Sequence, residues 1–246
     1  MTPLERALIA LARKACEQPA QLAPSDLDPV RTLVGDGALD YTLVLCSFHF
    51  INRVADLLRV DPEALPTPLR RFELLRRLTV RVASLLLARM DLANREYTAS
   101  YEEALAQAAP ALGRAVEGRL EDQLDPLRSR PKLVEAMQLA TEERDTRSSL
   151  DRATLVKIHR TVENALPVSA GQTAGFHPRP PDPVEAFAFV GTRYAYRATE
   201  EMIRGLRDSG YSDLGILDLA VAVADANQWA RLHRLLGLAP GLFYLG

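Results

Sequence analysis

Five side chains carry the chemistry open to this sequence: Cys46, His49 and Arg53 in one apolar segment, and Asn227 and Arg231 in another. Cys46 precedes His49 by three positions and His49 precedes Arg53 by four. On a helix those spacings put the residues on one face, with neighbouring Cβ atoms about 5–6 Å apart. An imidazole at that distance influences a thiol, which makes Cys46 with His49 a candidate single-cysteine catalytic pair. The alternative is a small buried hydrophobe beside a hydrogen-bonded core histidine, because free cysteine is among the most buried residue types. Leu43, Val44, Leu45, Phe48 and Phe50 surround the pair with apolar bulk. Asn227 and Arg231 are also four apart. Two arginines lining one pocket would bind a small anionic molecule bidentately; the alternative is structural ion pairing with Asp40, Asp56, Asp218 or Asp225. Trp229, the single tryptophan, reads as a core or interface anchor.

Little other chemistry has a foothold. His159, His177 and His233 have no ligand spacing with carboxylates or thiols, so no metal is expected, and no cofactor motif is present. Gly-rich phosphate loops, a GxSxG elbow and a dinucleotide fingerprint are missing. The arginines between Arg70 and Arg81, interrupted by Glu73, read as a solvated helix face. Cys16 and Cys46, 30 positions apart, form neither a CxxC nor a disulfide framework. With 30 basic against 32 acidic residues, a net charge of −2 and 48% hydrophobic residues, the composition is that of a globular protein and argues against disorder and nucleic-acid binding. No uncharged apolar run reaches the ~18 residues of a membrane span. Glu5 and Arg6 make the N-terminus an amphipathic helix and not a signal peptide, so a cytoplasmic protein without membrane partners is expected. Only three basic residues are lysines, a bias that suggests a GC-rich bacterial genome.

The elements that must position these residues read as helices throughout. Leu4, Leu8, Leu11 and Ala15 keep one apolar face from Pro3 to Glu17. A long apolar segment runs from Val34 to Val60, and another helix from Leu69 to Leu92. Ser100 with Glu103 forms a capping box, Pro110 kinks or ends that helix, and Pro126 and Pro131 bracket a turn. Ser148 with Asp151 caps a helix running to about Leu166. Residues 167–183 are a Pro/Gly linker, after which Asp182 and Pro183 suit a new N-cap and first helical position. Two more helices follow, through Ala198 to Arg207 and from about Ser212 to Leu236. The fold class is all-α.

An internal repeat appears at an offset of 178. Gly37, Leu39, Asp40, Arg53, Leu57 and Leu58 coincide with Gly215, Leu217, Asp218, Arg231, Leu235 and Leu236. The segment Leu206–Leu238 resembles the signature region of the AhpD-like, carboxymuconolactone decarboxylase superfamily in its peroxidase-related branch. Leu206, Arg207, Gly210, Tyr211, Ser212 and Asp213 match its lead-in, and Asn227 and Arg231 its "Asn-x-x-x-Arg" ending. Phe48, Phe50, Ile51, Asn52, Arg53, Val54, Ala55 and Asp56 are similar to the same family's "Phe-Asn-Phe-Ile-Asn-Arg-Val-Ala-Asp" run. The resemblance implies an AhpD-like fold of two pseudo-repeated helical halves, residues 1–166 with a helical extension and 184–246, packed as one unit and assembled into a homo-oligomer. Tyr41–Leu58 and Leu219–Leu236 would be the central, most buried helices.

Active members carry Glu-x-x-x-Cys-x-x-Cys-x-x-x-His, whose thiols cycle through a disulfide. Here the equivalent positions read Thr42, Cys46, His49, Arg53 and Ala220, Ala224, Asn227, Arg231. With Cys16 on a separate helix and expected to lie far away, the dithiol cycle has no second thiol. Two functions remain: a degenerate redox enzyme that acts on or binds a small anion, and a non-catalytic binding or assembly protein of the same fold.

Overall fold

The computed structural model describes residues 1–59, 148–166 and 181–238. All of them belong to one compact unit, formed by Met1–Val60 and Leu120–Gly246. The expectations for Leu69–Leu92, Ser100 with Glu103, Pro110, Pro126, Pro131 and residues 167–180 fall outside the described residues.

Seven α-helices are described, and among these residues there is no strand. α1 (Pro3–Glu17) opens with a capping box: Glu5 N–H donates to Thr2 Oγ1 and Thr2 N–H to Glu5 Oε2. α2 (Asp28–Val34) is short and leads through a single turn into α3 (Ala38–Leu57). α4 (Arg152–Ala165) is capped by Asp151, which accepts from Thr154 N–H at 2.7 Å; Ser148, expected to share that role, accepts from Leu150 N–H instead. Asp182 caps α5 (Pro183–Arg193) through Val184 and Glu185 N–H, with Pro183 at the first position, and its other oxygen accepts from Lys157 Nζ at 2.6 Å. α6 (Glu200–Asp208) and α7 (Asp213–Leu236) follow within a residue or two of their expected bounds.

The lead-in motif between α6 and α7 is explained by its turn. Gly210 has φ +94°, a conformation that a side chain disfavours. That turn lets Tyr211 N–H reach back to the Leu206 carbonyl, while Leu206 is fully buried. Arg207 Nε then donates to Asp213 Oδ1 at 3.0 Å, and Ser212 caps α7 through Gly215 N–H.

α7 is the spine. Sixteen of its 24 residues are buried, and its two halves feed two apolar clusters. Ile216, Leu219 and Val223 pack with Ile158, Phe187, Leu206 and Leu57. Trp229, Leu232 and Leu235 pack with Leu11, Leu27, Val30 and Cys46. The sequence expectation that α3 is equally buried is corrected. Only Ala38, Leu39, Thr42, Cys46 and Leu57 of its 20 residues are buried. Tyr41, Val44, Phe48 and Ile51 stand 38%, 56%, 60% and 58% exposed along one stripe. High apolar content concealed this: a helix rich in hydrophobes all round gives no periodic sign of which face turns outward.

α5 approaches α7 closely at Gly191, where an added Cβ would lie 2.7 Å from Val223 Cγ1 and 3.0 Å from Leu57 Cδ1. Gly191→Ala should therefore destabilise the unit by about 1–3 kcal/mol in chemical denaturation. Pairing it with Val223→Ala should recover about 1 kcal/mol of that loss relative to additivity. Strict additivity of the two changes would show that this approach does not constrain the packing.

Candidate functional site

α1, α3, α5 and α7 bring the five sequence candidates to one centre, buried at Cys46, Asn227 and Arg231 and half-buried at His49 and Arg53. Arg231 on α7 is 1% exposed, and its hydrogen bonds run to neutral oxygens. Nε donates to the Ala15 carbonyl at 3.0 Å; Nη1 donates to the Asn227 carbonyl at 2.9 Å and to Asn227 Oδ1 at 3.2 Å. With its oxygen so engaged, Asn227 uses Nδ2 to donate to the Val223 carbonyl at 2.9 Å and to Thr192 Oγ1 at 3.1 Å. Thr192 also meets Arg53 of α3: Arg53 Nη2 donates to the Thr192 carbonyl, and Nη1 to His49 Nδ1 at 3.1 Å. Arg53 Nε is sealed from solvent without a hydrogen-bond partner among the described residues.

Among the described residues no carboxylate forms an ion pair with Arg53 or Arg231. Asp56 acts on Arg53 only through space, and Asp218 accepts from Ser149 N–H and Oγ. Burial lowers the pKa of both guanidinium groups, Arg53 to about 10, and Arg53 further disfavours the charge on Arg231. Arginine nevertheless stays charged at neutral pH. Burial pushes the Cys46 thiol up to about 12, with Arg231 opposing only in part, so Cys46 is a protonated, fully enclosed thiol. His49 is pushed down to about 3 by burial and then by Arg231 and Arg53.

The tautomer of His49 follows. Arginine only donates, so Nδ1 must accept from Arg53 and the neutral ring carries its proton on Nε2. Nε2 faces Cys16 Sγ at 3.8 Å. Cys16 is thus on a separate helix, as expected, but not remote; the structure corrects that placement. Sequence spacing has no means of showing it, because α1 and α3 meet through tertiary packing. Thr192 was also missed. Its signal, a lone hydroxyl in the apolar run of α5, does not separate a structural from a functional role.

A cavity of about 250 Å³, lined by Leu27, Arg31 and Asp36 among others, contains none of these residues. Among the described residues no group of three His, Cys, Asp or Glu side chains could hold a metal ion. No described helix is long and apolar enough to cross a membrane. Trp229 is a core residue, its ring 5.7 Å from that of His233.

Burial makes His49 and His233 acid-sensitive. Their folded values are about 3 and about 4, below the ordinary 6.5, so the unfolded chain binds protons that the folded chain refuses. The stabilisation is complete above pH 6.5 and is lost as pH falls towards those folded values. Each histidine should contribute a slope approaching about 1.4 kcal/mol per pH unit near pH 5. Urea denaturation between pH 7 and 4.5 should show this decline, and His49→Gln should flatten it. A pH-independent stability over that window would contradict the neutral, buried state of both rings.

No family model matches this chain, and neither does any curated protein or solved structure.

Proposed function

We propose that this chain is an AhpD-like superfamily protein of two pseudo-repeated helical halves, with a degenerate redox site that binds or acts on a small anionic molecule. The observation that carries the reading is the convergence of Arg53 and Arg231 from two helices with no ion-pairing carboxylate among the described residues. One buried and one half-buried cation, held by neutral oxygens and a ring nitrogen, are costly to desolvate, and an anion would offset that cost. Cys46 and His49, at the family's two thiol positions, border the same centre. Asn227 and Thr192 orient the arginines: Asn227 Oδ1 fixes Arg231, and the Thr192 carbonyl fixes Arg53. A neutral His49 adds a donor and no competing negative charge.

Thermal denaturation at neutral pH and constant ionic strength, with chloride, phosphate, sulfate and small mono- and dicarboxylates, tests the reading. At 100 times its dissociation constant a bound anion stabilises by about 2.7 kcal/mol, a shift of several degrees. Arg231→Met, close in volume and uncharged, should fold and lose that response. If none of these anions moves the wild-type midpoint, the anion reading fails.

A non-catalytic assembly role is favoured by a separate observation, the exposed stripe of Tyr41, Val44, Phe48 and Ile51. Its 3-4-3 spacing is that of a helix-pairing seam, and contiguous apolar surface of this kind marks association sites. On this reading the protein is a homo-oligomer joined through α3. Light scattering should give a multiple of 27.2 kDa for the wild type and the monomer mass for Phe48→Glu. A monomeric wild type at micromolar concentration would remove this reading.

A further inference from the structure

We propose that two copies of this chain pair through α3 in antiparallel register about a two-fold axis, with Tyr41 against Ile51 of the second copy and Val44 against its Phe48. The surface is that of the assembly reading above, on which the proposal rests; the orientation and register go beyond it.

The face is longer than its four exposed residues. Gly37, Tyr41, Val44, Phe48, Ile51 and Ala55 recur at spacings of four, three, four, three and four, with Gly37 and Ala55 partly exposed at the two ends. Gly37 has helical backbone angles, so the register runs through it. At 100° per residue the six form one stripe, on the side of the helix opposite Thr42, Cys46 and Arg53. These spacings read the same in both directions. A reversed copy therefore meets the stripe layer by layer, Gly37 with Ala55, Tyr41 with Ile51 and Val44 with Phe48, each pair occurring twice about the axis. Both large layers set an aromatic ring against a β-branched aliphatic, the alternation of sizes that interdigitates. A parallel pair would oppose Tyr41 to Tyr41 and Phe48 to Phe48, two overfilled layers on either side of an underfilled one at Val44.

Charge narrows the occupant to a second copy. Residues 41–52 contain no Lys, Arg, Asp or Glu, and His49 is neutral. A partner helix with charged flanks, or an anionic lipid surface, finds nothing along the stripe to pair with. An identical uncharged face needs no such pairing. Exposed Asp40 lies at one margin. Antiparallel pairing holds the two Asp40 carboxylates about 18 Å apart along the helices, whereas parallel pairing sets them at one level. The four large side chains leave on the order of 400 Å² exposed, and two facing copies cover about twice that, the apolar core of a standard interface of ~1,600 Å².

The experiment measures the mass of the full-length protein at micromolar concentration by sedimentation equilibrium, for the wild type, Tyr41→Lys, Ile51→Glu and the double variant. Both positions are exposed, so the variants should fold, which circular dichroism checks. The wild type should give twice 27.2 kDa or another even multiple. Each single variant buries an unpaired charge twice and should weaken association by about 100-fold. The double variant should regain at least about ten-fold, because antiparallel pairing brings the two introduced opposite charges together. Within one helix they lie ten residues, about 15 Å, apart and do not meet. An equimolar mixture of the two single variants should associate for the same reason. If neither the double variant nor the mixture associates, the antiparallel register is overturned and the assembly reading stands. Single variants that keep the wild-type mass place the interface elsewhere and overturn both. A monomeric wild type also overturns both and leaves α3 to another partner or another part of this chain. An odd multiple overturns the pair, since a two-fold contact alone cannot build it.

Discussion

The placement of the polar centre depends on one buried hydrogen bond, from Arg231 Nε to the carbonyl of Ala15. Ala15 lies in the last turn of α1, where backbone carbonyls have no partner within their own helix. A guanidinium there satisfies one such oxygen and opposes the negative end of the helix dipole, an interaction of up to about 2 kcal/mol when partly buried. The bond joins α1 to α7 across 216 positions of sequence. It also fixes the residue that follows: with Ala15 held against α7, Cys16 comes to the edge of α3 beside His49. Removing Arg231 would therefore alter the position of a thiol on another helix as well as the charge of the centre.

Charge is the second constraint. The chain carries a net charge of −2, yet this centre holds two guanidinium groups and no ion-pairing carboxylate among the described residues. Most of the stabilising hydrogen bonds come from carbonyl oxygens and one amide, which offset desolvation without neutralising charge. Desolvation is the larger reason that His49 remains neutral, and the same positive field adds to it, because protonation would place a third cation near the other two. Neutrality in turn settles its tautomer, so the electrostatics of the arginines reach Cys16 as an oriented N–H.

Much of this was legible in the sequence where the cause is local. Asp182 before Pro183 announced its cap because N-cap chemistry involves only three or four consecutive residues. The four-residue spacings of His49 with Arg53 and of Asn227 with Arg231 likewise correspond to bonds within one helical turn. What could not be read depends on packing between helices. Cys16 meeting His49, Thr192 joining Arg53 to Asn227, and the orientation of α3 all follow from how separate helices dock. The AhpD-like resemblance rests on residues whose roles here are partly those of a well-made turn, since Gly210, Ser212 and the Arg207–Asp213 pair are accounted for by the α6–α7 junction.

The exposed stripe on α3 is a geometric consequence of the same site. Successive residues of a helix point about 100° apart. To send Cys46 into the core and His49 and Arg53 towards α1, α5 and α7, the helix must give one face to those partners. Val44, Phe48 and Ile51 then have to occupy another. The face of α3 that carries His49 and Arg53 cannot be turned to solvent without abandoning the centre, so the apolar residues are the ones left outside. A helix that is apolar on nearly all sides can be fully enclosed only if something covers the remaining face. The polar centre and the surface stripe are thus two results of one rotation of α3, and a change that rotated the helix to bury Phe48 would dismantle the contacts of Arg53 with His49 and Thr192.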